Sequence, residues 1–466
     1  MTDKPAQTHP PKRQSPQTLS RQDLTHGNII HHLRRLSLPM VWGIFAIVST
    51  TLIDTYYISL LGTKELAAIS FAFTISFAVF SFILGLGAGM SSVISRTRGS
   101  GDLHAMRRIT LHALLAGTAL SIFITLLGLI LQIPVFRFMG ANEQLMPLIL
   151  DYMNIWFIGL SFVTVPILAN AAMRANGDSM TPAIIMTFSA FLNLVLDPIL
   201  IFGYFDVPAL GMQGAALASV LAYTLTMIPA VYLLAGPKRL LSLHQPDWHL
   251  FFDSTRKFLS VGMPAGLANM IQPLSNAIIV GILAGISLEA VAGFGVAVRV
   301  QSFVLIPIMA LATGLSPIVG QNWGAGKFDR VNTTLRKALQ INIIWGLIIA
   351  AFLGLFAQHI AAAFSQDPTV LLIAVNYMWI VPISLIGAQT VMLWSAAFNA
   401  AGFPKRAFII LNGKIFGLYV PAAYIGSLLG GAMEVFISLA LANIIAGIGF
   451  HILNRRFSRA RQKDRN

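Results

Sequence analysis

Asp54, in IVSTTLIDTYYISLLG, and Asp197, in FLNLVLDPILIFG, are carboxylates set in stretches otherwise built almost wholly from apolar and hydroxyl side chains. An ionisable group in hydrocarbon costs at least ~2.5–3.5 kcal/mol on insertion scales, so each is a functional candidate by default. Asn193 precedes Asp197 by four residues and shares its helical face. Pro198 follows Asp197, and a proline inside a helix removes one backbone hydrogen bond and leaves a carbonyl free as a partner. Two carboxylates and an amide gathered away from water cannot all keep their charges cheaply, because desolvation and mutual repulsion both oppose it. Binding and releasing a proton or a small cation is the chemistry that suits such a set. The plain alternatives are a structural carboxylate bonded to Asn193, for Asp197, and an interfacial residue beside Tyr56 and Tyr57, for Asp54. Pro39 lies fifteen residues before Asp54 on the same stretch; it reads as a hinge or as a start-of-helix proline.

Other polar residues offer less. Asp151 and Tyr152 sit near the start of one apolar stretch and Asn170 near its end. Arg299 and Lys414 lie inside apolar stretches and read as snorkelling anchors. Gln272 and Asn276 flank Pro273 and carry no charge. The chain has no cysteine, which excludes disulfides, thiolate metal sites and cysteine nucleophiles together. Its ten histidines form no spaced ligand cluster, and no P-loop, GxGxxG helix start or Ser–His–Asp set is present. Nothing here reads as an enzyme or as a protein with a bound cofactor.

The elements that must position these residues are membrane spans. Of 466 residues 56% are hydrophobic and only 10% charged, against roughly 25% charged in a soluble protein; mean hydropathy is +0.75. Apolar runs of ~20 residues recur along the chain, each long enough to cross ~30 Å of hydrocarbon as a helix. The pattern predicts an all-α polytopic protein with twelve spans in two six-helix bundles. Residues 1–35 read as a polar, disordered N-terminal tail without a signal-peptide core. Residues 36–236 form the first lobe, 237–257 a linker, 258–454 the second lobe, and 455–466 a basic tail.

The termini and the even-numbered connections hold 27 of the 31 Lys and Arg residues, so the positive-inside rule places both termini in the cytoplasm. The net charge of +14 therefore reads as topology and not as nucleic-acid binding. Asp54 and Asp197 each lie about six residues from the outer end of a span, ~9 Å below the outer surface at 1.5 Å per residue. The halves repeat. GAGMSSVISRTRGSG (87–101) matches ATGLSPIVGQNWGAG (312–326), AAMRANG (171–177) matches AAFNAAG (396–402), and Pro39 matches Pro264, always 225 residues apart. Six spans is an even number, so the copies are parallel repeats, as in transporters that alternate access between two bundles.

These motifs, together with NLVLDPILIFG, GMQGAALAS (211–219) and GLSPIVGQNWGAGKFDR (314–330), make the chain resemble the multidrug and toxic compound extrusion (MATE) transporters from about residue 34 to 454. Within that family it is similar to the DinF-like branch, with an aspartate on span 1 and an Asn-x-x-x-Asp pair on span 5. The resemblance implies V-shaped lobes in a bacterial inner membrane. It also implies antiport of organic cations or amphipathic drugs against a proton, or against Na+, with no obligate protein partner. Carried over, the cation site is Asp54, Asn193 and Asp197, the cavity neighbours are Tyr152, Asn170 and Ser219, and the hinge is Pro39. Ser219 stands where the family often has Thr, and the hydroxyl survives. The sodium-coupled branch carries acids on spans 7 and 10, which this chain lacks; that favours protons. On this reading protonation of the first-lobe aspartates bends span 1 and releases substrate outward. The alternative is a lipid-linked oligosaccharide flippase of the same superfamily, but only Arg299 and Lys414 supply cations within spans. A major-facilitator loop signature is not matched by SRTRGSGDLHAMRR.

Overall fold

The computed structural model describes residues 22–238, 240–241 and 247–455, and all regular structure among them is helical. Six helices make the first lobe: α1 (Ile29–Ser59), α2 (Thr63–Gly99), α3 (Leu103–Phe138), α4 (Met146–Ala175), α5 (Met180–Phe202) and α6 (Gly211–Ala235). The second lobe contains α7 (Phe251–Ala284), α8 (Leu288–Val304), α9 (Ile306–Gly324), α10 (Phe328–Ala362), α11 (Pro368–Ala401), α12 (Pro404–Lys414), α13 (Val420–Leu429) and α14 (Ala432–Asn454). Fourteen helices give twelve crossings. A π-turn, Ile415–Tyr419, joins α12 to α13 within one span. The α8–α9 pair is bent by 43° and together supplies another. Pro307 is the physical cause of that bend: it has no N–H to donate to the preceding turn. Its repeat mate in α2 is Phe82, and α2 runs unbroken.

The expected tail of residues 1–35 needs correction over its last part. Residues 1–21 lie outside the described residues, as do 456–466 of the expected basic tail. Residues 22–28, by contrast, are built into the protein, and α1 begins at Ile29, capped by the Asn28 side chain, which accepts from the N–H groups of Ile30 and His31. Fully buried Leu24 donates its N–H to Gln321 Oε1 and accepts from Asn322 Nδ2, each at 3.0 Å. Lys327 Nζ donates to the Thr25 carbonyl and Arg330 Nη1 to that of Gly27, both at 3.0 Å. On the first-lobe side Asn176 Nδ2 donates to Gln22 Oε1 at 3.2 Å. The segment is a strap tied to both lobes. Its polarity concealed this, because side chains of the second lobe satisfy its backbone groups. The expected linker is also shorter, since α7 begins at Phe251.

The two lobes meet through reciprocal contacts that obey the 225-residue offset. A Cβ on Gly89 would lie 2.4 Å from Gly262 Cα, and one on Gly314 would lie 2.4 Å from Ser37 Oγ. A Cβ on Gly99 would meet the Gln321 carbonyl at 2.0 Å, and one on Gly324 the Arg96 carbonyl at 2.0 Å. Each contact is the repeat image of its partner, as two copies about one axis require. Small residues let helix backbones approach closely, which is the main source of association where lipid is as apolar as the side chains. The contacts lie toward the terminus side of the molecule, which α2 against α7, α1 against α9 and α2 against α9 close.

Candidate functional site

The site forms at the opposite end of the first lobe. α1 and α5 pack side by side, with Asp54 and Asp197 each one and a half turns before the end of its helix. Asp197 is 1% exposed, Asn193 is buried beside it, and Asp54 is half-buried. The Asp54 and Asp197 carboxyls face each other within hydrogen-bonding reach. Two ionised carboxylates offer only acceptors, so that bond closes only with a proton on one of them. With both ionised, Asp54 Oδ1 and Asp197 Oδ2 have no donor among the described residues. An unsatisfied buried acceptor costs ~1–3 kcal/mol, more when charged. A proton or another cation between the two carboxyls would supply the donor or charge they lack.

Asn193 orients the pair. Its Nδ2 donates to Asp197 Oδ1 at 3.3 Å and to Ser219 Oγ at 3.2 Å, so one amide ties α5 to α6. Tyr152, on α4, is 5% exposed, packs edge-on to Phe73 at 6.0 Å, and lies within electrostatic range of both carboxyls. Tyr223, one turn beyond Ser219 on α6, packs against the apolar cluster that contains Tyr152 and lies within electrostatic range of Asp54; sequence reasoning missed it, although its i+4 spacing from Ser219 was the available signal. Asn170 is not brought to this set. It lies about 27 Å further along α4 than Tyr152 at ~1.5 Å per residue, near the terminus-side end, buried and with Oδ1 unpaired among the described residues. Asp151 sits at the surface and accepts from Gln213 Nε2 at 2.8 Å. No group of His, Cys, Asp or Glu among the described residues has the geometry of a metal centre.

Pro39 lies where α1 is held from both sides. Met40 and Ile44 share one apolar cluster with Ala183 of α5 and with Ile306 and Ala310 of the second lobe. From Phe45 to Tyr57, by contrast, no α1 residue is fully buried until Ile58. α1 is therefore clamped around Pro39 between α5 and the second lobe and is more loosely packed over the half that carries Asp54.

A family model, MatE, matches residues 39–199 and 264–425 of this chain. Among curated proteins, an FAD transporter of Shewanella oneidensis is 36% identical over 94% of this chain and 96% of its own length. The multidrug export protein MepA of Staphylococcus aureus is 25% identical over 89% of this chain and 91% of its own. The crystal structure of the Vibrio cholerae MATE transporter VcmN in the bent form superposes with a TM-score of 0.86 at 28% identity, covering 93% of this chain and 97% of that one.

Proposed function

This chain belongs to the MatE family of membrane transporters, and from that premise we propose that it is a cation-coupled antiporter, driven by protons, that exports amphipathic organic molecules. Its termini lie in the cytoplasm of a bacterial inner membrane, and the Asp54–Asp197 pair is its coupling site. The observation that carries this reading is the carboxyl pair itself, shared between α5 and the loosely packed half of α1. A proton arriving from the side opposite the termini closes the bond between the two carboxyls. α1 beyond Pro39 is drawn toward α5, the space between them shrinks, and substrate leaves outward. When the terminus side opens, the proton departs and the paired acceptors lose their donor, which pushes α1 back. Asn193, Ser219, Tyr152 and Tyr223 position the pair; Asn170 borders the same lobe's path nearer the cytoplasm.

Substrate-driven collapse of a pH gradient in everted vesicles tests it. Wild type is compared with Asp54→Asn and Asp197→Asn, with and without sodium. Collapse seen in wild type alone, indifferent to sodium, supports proton coupling at this pair. A sodium-dependent response would move the same site to Na+, and full activity in both variants would sink the proposal. A second reading of the substrate comes from the Shewanella relative, whose 36% identity exceeds the 25% of MepA: the cargo is a flavin dinucleotide. Flavin release by cells expressing the chain, absent in Asp197→Asn, separates this from export of cationic drugs.

A further inference from the structure

The repeat lets the two lobes be compared position by position. Tyr152 falls on Tyr377, and both are buried tyrosines. Asp54 falls on Ile279, and Asp197 on Ala422, or on Ala423 if the extra residue of the π-turn is allowed for. Ile279, Tyr377 and Ala423 pack in one apolar cluster, with Tyr419 against it. The acidic pocket of the first lobe is therefore filled with hydrocarbon in the second. One charge replaces it there: Ser189 falls on Lys414.

Ser189, Asn193 and Asp197 form one stripe of α5, each a turn apart, and all three are buried. Lys414 thus sits on the stripe that faces the interior of its lobe. It is half-buried, yet it takes part in no ion pair or hydrogen bond among the described residues, and its ammonium lies 5.5 Å from the centre of the Tyr419 ring. Snorkelling does not explain it. Lys414 is about 15 Å along the span from Pro404, at ~1.5 Å per residue, and a four-carbon stem does not cover that distance to water.

The backbone itself is bent to this arrangement. In a regular α-helix residues i and i+5 point well apart, whereas a π-turn, closing i to i+5, brings them toward one face. The π-turn Ile415–Tyr419 is what sets the Tyr419 ring beneath the Lys414 ammonium. Within that turn Gly417 is exposed, and a Cβ there would meet nothing within 4 Å. On the neighbouring wall the Tyr377 hydroxyl donates to Gln301 Oε1 at 2.5 Å, a polar pair in an otherwise apolar cluster. Single π-turns inside helices concentrate at functional sites.

We propose that Lys414, held over the Tyr419 ring by the π-turn, is an anion-recognising subsite of the second lobe, taking the phosphate or carboxylate of an amphipathic organic molecule. It is opposite in sign to the coupling pair of the first lobe, so coupling cation and substrate anion occupy different lobes. The ring supports an apolar or aromatic body beside the charge, and an unpaired ammonium offers three donors to an oxyanion. This rests on the transporter reading above, but its test is binding and needs no coupled transport.

The experiment uses the full chain in nanodiscs of phosphatidylcholine with two probes of one ring system and opposite charge, 1-pyrenebutyrate and 1-pyrenebutyl-trimethylammonium, followed by fluorescence anisotropy. Lys414→Met is expected to weaken pyrenebutyrate binding about tenfold or more, as loss of a charge-assisted hydrogen bond does, and to leave the ammonium probe unchanged. Lys414→Arg keeps the charge and is expected to stay within about threefold of wild type. Nanodiscs doped with dioleoylphosphatidic acid distinguish the source of the anion. Displacement of pyrenebutyrate identifies a lipid headgroup as occupant, and undiminished binding identifies a soluble organic anion. The proposal is overturned if wild type shows no saturable pyrenebutyrate binding, if Lys414→Met binds it as wild type does, or if both probes are lost together.

Discussion

Replacing Gln321 by leucine is expected to open the terminus side of the protein. Gln321 is 1% exposed and bridges the lobes: its Nε2 donates to the Ala175 carbonyl of α4 at 3.0 Å, and its Oε1 accepts from the Leu24 N–H at 3.0 Å. Leucine matches the volume but bonds to neither. In the closed arrangement the substitution strands a buried N–H and a buried carbonyl, at ~1–3 kcal/mol each. Water restores both once the lobes part, so the penalty falls on the closed form alone and shifts the balance toward opening by ~2–6 kcal/mol. At ~1.4 kcal/mol per factor of ten, that is a shift of about 30-fold at least. The absence of native cysteine makes the assay direct. Ser92 is 1% exposed and donates to the Asn399 carbonyl across the lobe interface, so maleimide labelling of Ser92→Cys reads opening of this seam. Labelling should accelerate by about the same 30-fold in the Gln321→Leu background, while Thr164→Cys, buried inside the first lobe on α4, stays protected. Labelling of Ser92→Cys at the wild-type rate would refute the reasoning, and equal acceleration at both positions would show unfolding instead.

Three further outcomes follow from the structure. Asn193→Leu removes the donor to Asp197 Oδ1 and Ser219 Oγ and is expected to lower stability by ~1–3 kcal/mol and to abolish ion-driven exchange, read by thermal unfolding and vesicle transport; Ser219→Thr should leave both near wild type. Gly89→Val places a side chain where even a Cβ would lie 2.4 Å from Gly262 Cα, so the lobes cannot close as they do here; faster labelling of Ser92→Cys or loss of the monodisperse chromatographic peak checks it. In the loop between α4 and α5, burial works to raise the Asp178 carboxyl, but the Lys238 ammonium at 2.7 Å and the Thr181 hydrogen bonds hold it below its ordinary value of 3.8. A lowered folded value means stabilisation that is fully present above pH 3.8 and lost as pH falls through the lower folded value. The stability gap between wild type and Asp178→Asn should therefore be constant at neutral pH and vanish in that acid range, by denaturation across pH.

The sequence by itself determined what depends on composition and on short periods. Apolar runs long enough to span hydrocarbon set the number of crossings, because an unsatisfied backbone cannot be left in lipid. The 225-residue offset predicted a repeat, and the reciprocal pairs Gly89–Gly262 and Gly314–Ser37 display it in three dimensions. Asp54, Asn193 and Asp197 stood out because a polar group in an apolar run needs a reason. Other features depended on how the helices rotate and pack, which one-dimensional patterning does not encode. The strap at residues 22–28 looked like disordered tail because its partners, Gln321 and Asn322, lie some three hundred residues away. Asn170 shares a helix with Tyr152, but the length of α4 sets it at the other end. Tyr223 joins the site only because α6 turns its Ser219 face toward α5. Lys414 read as an anchor until the π-turn, invisible in hydropathy, set its ammonium over Tyr419. Burial in lipid is decided residue by residue, whereas close approach between spans is decided by which faces meet, and only the folded chain fixes that.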